Sequence, residues 1–242
     1  MISDVELRDR LVDSYWKTER ARQHLDELKA EVLGFMNADP CAVSVEEDTE
    51  RRVRVFRAIF KQPHVWMYLI AGDVFQCLRT ALDQAVWWFA SQGGYDSHQT
   101  EFPIFDTKTA ETMKRFDKRT KGVPANAVAL IEAFQPYNRP SGAPLTDSLL
   151  WQLHEINRID KHRRISVRAT AAEIETLPVA DVTAIESGIE VSMPFDAGPA
   201  FEPCFTPIVV FGDRGISITV EGIERIYGLV AGVILPRLAG CV

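Results

Sequence analysis

Apolar and small residues recur every three or four positions at Leu7, Leu11, Tyr15, Thr18, Ala21, Leu25, Leu28, Val32 and Phe35, the spacing that lines one face of an α-helix. Ser3 and Glu6 ahead of them make a capping-box pattern, so one helix is predicted over 3–37, stopped by Asn37, Asp39 and Pro40. At 1.5 Å per residue it would be about 50 Å long. Its narrow apolar seam wants an antiparallel partner or a second subunit. Over 42–60 the period changes to two: Val43, Val45, Val53 and Val55 alternate with polar residues across Asp48-Thr49-Glu50, which predicts a β-hairpin.

Helical spacing returns over 65–91. Ile70, Val74, Cys77, Leu78, Ala81, Leu82, Ala85, Trp88 and Phe89 cover well over half of this helix's circumference, which predicts a central, largely buried helix. Gln76, Arg79 and Asp83 form its polar stripe, beside Asp73 and Thr80. Gly93-Gly94 ends the helix. A long connection follows, with short helices predicted near 110–119 and 125–134, and with Phe102, Ile104, Phe105, Phe134 and Tyr137 to pack it down. A third helix is predicted over 148–164, capped by Thr146 or Asp147, with Leu149, Leu153, Ile156 and Ile159 on its apolar face. The stretch 165–220 is β-rich, and a last helix over 221–235 is expected to end at Pro236. The fold class is therefore α+β: a mostly helical bundle of the N-terminal, central, third and C-terminal helices with a small antiparallel sheet, in a single domain of 1–242. Cys77, Trp66, Trp87, Trp88 and Trp151 are expected in the core.

Composition narrows the possible partners. The chain of 242 residues is 46% hydrophobic and 25% charged, with net charge −7, so no global positive field attracts nucleic acid or an anionic membrane. A local cation cluster does exist at Arg158, Lys161, His162, Arg163 and Arg164. The four cysteines are far apart, with neither zinc nor redox spacing. The apolar run at 227–235 is about half of the ~20 residues needed to cross a bilayer. With a charged start and no apolar signal segment, the expectation is a soluble cytoplasmic protein with no membrane partner.

Two of the predicted helices are apolar enough to be buried yet carry ionisable groups, whose burial is costly unless they are paired. Asp160 falls about 20° from Leu149 on a helical wheel, near the middle of the apolar arc. Asp160 needs a cation, Arg79 an anion, and Asp83 lies one turn after Arg79. An Arg79–Asp83–Asp160 network is expected to join the helices, either fixing their register or opening as a site. The third helix adds His154, Asn157, Arg158, Lys161 and His162 as candidate binding or catalytic groups. Glu155, Arg158 and His162 share one outer face; His154 and Lys161 share another. His154-Glu155 lacks the second histidine four positions on that a zinc-protease helix needs, and no nucleophile elbow, phosphate loop or dinucleotide glycine pattern occurs. No metal or cofactor is expected.

The motifs Gly72-Asp73-x4-Leu78-Arg79-x-Ala81-Leu82-Asp83, Phe102-Pro103-Ile104-Phe105, Gln135-Pro136-Tyr137 and Leu150-Trp151-x-Leu153-His154-Glu155-x-Asn157-x-Ile159-Asp160-Lys161-His162-Arg163 resemble a family of uncharacterised bacterial proteins, over about 65–165. A partial resemblance is to the HEPN helical domains, many of them metal-independent ribonucleases of toxin and phage-defence systems. Their motif is an arginine, a polar residue, three or more others, then a histidine. That resemblance implies a histidine moving a proton at the ribose 2′-hydroxyl or leaving oxygen while arginine stabilises the phosphate, with Arg79, Asp83 and His162 as the catalytic candidates. This chain departs from the pattern: Gln84 follows Asp83, Asn157 stands where arginine would precede His162, and Arg158 is one residue too close. Two functions are thus expected. The first is a non-catalytic binding or interaction protein of a bacterial accessory system, dimeric through its long first helix and taking a protein or RNA partner; the second is a HEPN-like ribonuclease.

Overall fold

In the computed structural model, which describes residues 11–95, 98–175, 180–185, 187–197, 202–213 and 215–241, helix α1 spans Val12–Asn37 and α2 spans Trp66–Gln92. They pack along each other. Thr18, Ala21, Leu25 and Leu28 of α1 are buried, as are Ile70, Val74, Leu78, Ala81, Leu82 and Ala85 of α2. The narrow seam of α1 is thus covered within the chain and does not require a second subunit. The Ser3–Glu6 cap lies outside the described residues.

Between these helices stand β1 (Cys41–Asp48) and β2 (Val53–Phe60), the expected hairpin. After α2 come α3 (Ala110–Arg119) and α4 (Ala125–Ala133). Helix α5 (Leu149–His162) is capped by Ser148, whose hydroxyl accepts the Trp151 N–H, and not by Thr146 or Asp147. A short 3-10 turn over Leu145–Asp147 takes up those residues and moves the helix start on.

The remaining strands are β3 (Ser166–Glu175), β4 (Asp181–Ile185), β5 (Gly188–Pro194), β6 (Cys204–Asp213) and β7 (Ile216–Ile218). They build two sheets where the sequence suggested one: β1-β2-β5-β4 and β3-β6-β7. All pairings are antiparallel. Each sheet's alternation leaves one apolar face to cover, and the two cover one another across Phe56, Ala58, Phe60, Val191, Met193 and Phe205. The fold is α+β, with a helical layer and two small sheets.

The C-terminal helix does not stop at Pro236. Helix α6 (Val220–Leu229), capped by Thr219, runs through a π turn over Val230–Ile234 into α7 (Leu235–Ala239). Leu235 N–H bonds to Val230 O; this wider turn before Pro236 accommodates its ring and its missing N–H. Of the tryptophans expected inside, Trp88 and Trp151 pack against the main core with Cys77, whereas Trp66 and Trp87 are 58% and 45% exposed. No helix among the described residues is long and apolar enough to cross a membrane.

Candidate functional site

Arg79 is buried on α2, its side chain 6% exposed. Its Nη2 donates to the Phe102 carbonyl at 2.6 Å and to Asp83 Oδ1 at 2.7 Å. The same Asp83 oxygen accepts the Phe102 N–H at 2.9 Å. One turn of α2 therefore satisfies both backbone polar groups of Phe102, which lies in a stretch with no strand or helix partner. Glu101 approaches Arg79 Nη2 at 3.8 Å and forms an ion pair with Arg119 Nε of α3 at 2.6 Å. Arg115 and Arg119 lie 5.1 and 5.0 Å from the centre of the Phe105 ring, within cation–π range. Gln135, 2% exposed, holds the other end of this stretch. Its Oε1 accepts the Phe105 N–H at 3.0 Å, and its Nε2 donates to Pro103 O at 2.8 Å and Ile131 O at 3.1 Å.

The electrostatics follow from burial. It raises the Asp83 carboxyl above its ordinary range, although the Arg79 charge and the Phe102 N–H pull the other way. Lys161, exposed on α5, also acts on Asp83. Burial lowers the Arg119 guanidinium, with repulsion from Arg115 and Arg79 opposed by Glu101 and Asp83. His154 is half-buried on α5. Burial lowers its pKa, and the charges of Arg79, Arg119 and Arg158 lower it further against Glu155. Arg79, Arg115 and Arg119 thus form a cation cluster at Glu101 and Asp83, and His154 lies within the field of Arg79 and Arg119. Arg79 Nη1 and, on the buried face of α5, Asn157 Oδ1 have no hydrogen-bond partner among the described residues.

Asp160 does not join Arg79 and Asp83. It packs over Gly72 of α2, where a Cβ would stand 2.7 Å from Asp160 Oδ1. Burial and the neighbouring Asp73 raise its carboxyl. The expected three-member network fails for two reasons. Asp160 is only partly buried, so water can serve it. Arg79, meanwhile, finds its acceptors in Asp83 and in the backbone of the connection.

His162 stands apart from Arg79 and Asp83. It is exposed and lines a groove of about 250 Å³ between α5 and the β6–β7 turn, together with Trp151, Glu155, Arg158, Ile159, Arg163, Asp213, Gly215 and Ile216. Arg158 Nη2 pairs with Glu155 Oε2 at 2.7 Å, and Arg163 Nη1 lies 3.4 Å from Asp213 Oδ2. The two outer faces read from the sequence are therefore two different surroundings: His154 near Arg79, and Glu155, Arg158 and His162 on the groove. Glu101, Arg115, Arg119, Gln135 and Asp213 were not singled out as functional from the sequence. Only Gln135 carried a signal, as the polar member of its Gln-Pro-Tyr motif.

No group of three or more His, Cys, Asp or Glu side chains among the described residues is placed to hold a metal ion. No protein-family model, curated protein or solved structure matches the chain.

Proposed function

We propose that this chain is a non-catalytic binding protein of a bacterial accessory system, working in the cytoplasm, and that its contact surface is the groove beside the C-terminal half of α5. The observation that carries the reading is the separation on α5: Arg79 and Asp83 are committed to the backbone of Phe102, while His162 opens onto a different surface. The groove that His162 lines includes neither Arg79 nor Asp83, which supports binding over a HEPN-type proton transfer by these three residues. The groove sets Arg158, His162 and Arg163 beside Glu155 and Asp213, above Trp151, Ile159 and Ile216. Both signs of charge around a partly apolar floor suit a protein segment with an aliphatic or aromatic anchor and charged flanks. A polyanion gains no long-range attraction from a chain of net charge −7.

One observation favours the second reading, a metal-independent ribonuclease. His154, shifted toward its neutral form near Arg79 and Arg119, has the chemistry to take a proton from a 2′-hydroxyl while a guanidinium stabilises the phosphate. Incubation of the purified protein with structured and single-stranded RNA, alongside selection of displayed peptides on the folded chain, separates the two. The expected result is intact RNA, and peptides whose binding is lost in Trp151→Ala and Arg158→Ala. RNA cleavage that disappears in folded Arg79→Ala, His154→Gln or His162→Ala would overturn the binding reading, as would peptides indifferent to the groove variants.

A further inference from the structure

Strand β1 is an open edge. It pairs with β2 on one side and ends its sheet's order, and no strand among the described residues pairs with its other side. Residues 42–47 are all exposed. Natural sheets ordinarily shorten, cover or charge such an edge.

Two features of β1 say what could cover it. The first is the phase of its backbone. Lys61 N–H bonds to Pro40 O, so 40 and 61 form a hydrogen-bonded pair. Alternation along an antiparallel ladder then turns the polar groups of Ala42, Ser44 and Glu46 toward β2 and those of Cys41, Val43, Val45 and Glu47 outward. The Phe60 N–H to Ser187 O bond on the far side of β2 carries the same phase. The second is the side-chain pattern. Val43 and Val45 stand opposite Ala58 and Phe56, on the face that holds the core between the sheets, yet they are 54% and 56% exposed. The facing sheet leaves them uncovered.

We propose that β1 is the interface of a homodimer in which two copies pair antiparallel about a two-fold axis at Ser44. In that register each Val43 meets the partner subunit's Val45 on one face, continuing the inter-sheet core across the axis. The outward groups of Cys41, Val43, Val45 and Glu47 oppose one another in matching pairs. The acidic run Glu46-Glu47-Asp48 lies against the partner's 40–42, beside which stands the exposed Lys61, just past the end of β2, with Nζ held by Ala38 O at 2.9 Å. Asp39, at the same end, is an adverse charge. Other axes that keep the phase are worse. One at Val43 sets Glu47 against Asp39, one at Val45 sets Val43 against Glu47, and one at Glu46 sets that residue against itself. The strand is complementary to its own copy in one register, which favours a second copy over a foreign strand. Because the seam of α1 is covered by α2, this edge takes the place of the long helix as the dimer surface.

The test is the mass of the full chain in solution as a function of concentration, together with two pairs of variants. The wild type is expected to rise from 27.2 kDa toward twice that value. Val43→Pro and Val45→Pro each remove an outward N–H and leave the β1–β2 ladder intact. Each should raise the dimer dissociation constant by roughly thirtyfold or more, from one hydrogen bond lost per copy, with an unchanged far-ultraviolet circular dichroism spectrum. Ser44→Cys should form a disulfide-linked dimer with oxidised glutathione well beyond the wild type, and Glu46→Cys should not. If the proline variants lose their fold, the cysteine pair decides alone. A constant mass of 27.2 kDa overturns the proposal and leaves the edge to a strand from another protein. So does a dimer insensitive to both prolines in folded variants, or cross-linking through Glu46→Cys in place of Ser44→Cys.

Discussion

Gln135→Met keeps the length and most of the volume of the side chain and removes its amide. The wild-type amide makes three hydrogen bonds, to Phe105 N, Pro103 O and Ile131 O, while 2% exposed. Phe105 is itself buried, at 7% exposure, so its N–H is left without water or acceptor. A buried polar group stranded in this way costs about 1–3 kcal/mol. With the Pro103 carbonyl stranded as well, the loss is about 2–5 kcal/mol, a large part of the roughly 5–15 kcal/mol that holds a typical domain folded. Urea unfolding followed by circular dichroism measures it. Gln135→Glu sharpens the test, because the introduced carboxyl keeps an acceptor for the Phe105 N–H but, when ionised, has no proton for either carbonyl. Burial holds that carboxyl above the ordinary value of about 4.3. The folded state then binds the proton more tightly than the unfolded chain, so the penalty is absent below about pH 4 and grows as pH rises through the raised value. A Gln135→Met protein within about 1 kcal/mol of wild type, or a Gln135→Glu deficit no larger at pH 7 than at pH 4.5, would refute the view that this glutamine clamps the 102–105 stretch.

Three more outcomes follow from the same geometry. Because burial and nearby cations lower His154 from 6.5, the folded state binds fewer protons than the unfolded chain, and stability is lost as pH falls from 6.5 through the folded value; His154→Gln should shrink the difference in Tm between pH 7.5 and pH 5.5, and an undiminished difference would exclude His154 as the cause. Arg79→Ala should cost about 3–5 kcal/mol in urea unfolding, and Arg79→Lys should restore only part of it, since the lysine side chain ends one atom short of Nη2, the nitrogen that donates to both Asp83 and Phe102; full rescue by lysine would show that charge alone matters. Arg158, with a side chain 58% exposed, should tolerate alanine within about 0.5 kcal/mol while losing peptide binding, and a large shift in Tm would make it part of the frame.

The helices and the hairpin were legible because each repeats a period that one face of the element must satisfy. The long seam from Leu11 to Phe35 and the crowded wheel of α2 both read through to buried faces. What periodicity cannot supply is the choice of partner. The alternation in β2 says that Phe56 and Ala58 face a core, but not that β5 and β4 join the hairpin while β3, β6 and β7 form a second sheet over it. Nor does a local rule show how its neighbours bend it: Pro236 reads as a helix stop until a π turn just ahead of it makes room. Trp66 and Trp87 were misplaced for a related reason, since they sit among apolar neighbours on a side of α2 that leaves them 58% and 45% exposed.

The candidate site was legible residue by residue and illegible as a set. A wheel puts Arg79 and Asp160 inside and demands partners for both, and it offers only other helical side chains to meet the demand. Backbone in an irregular segment is an equally good partner and has no period to announce it; the acceptor that Arg79 found beyond Asp83 was the carbonyl of Phe102. One clue to the helix pairing was present in a residue read only as part of a motif. Glycine inside a helix costs about 1 kcal/mol relative to alanine, so Gly72 in the second turn of α2 calls for a close approach, and the group that approaches is the Asp160 carboxylate. The two helices therefore do meet at their ionisable positions, on two separate levels: Asp160 against Gly72 and Asp73 at one, His154 within the field of Arg79 and Arg119 at the other. Of the two levels, the second carries the cation cluster. His162, on a different outer face of the same helix, is left free for the groove.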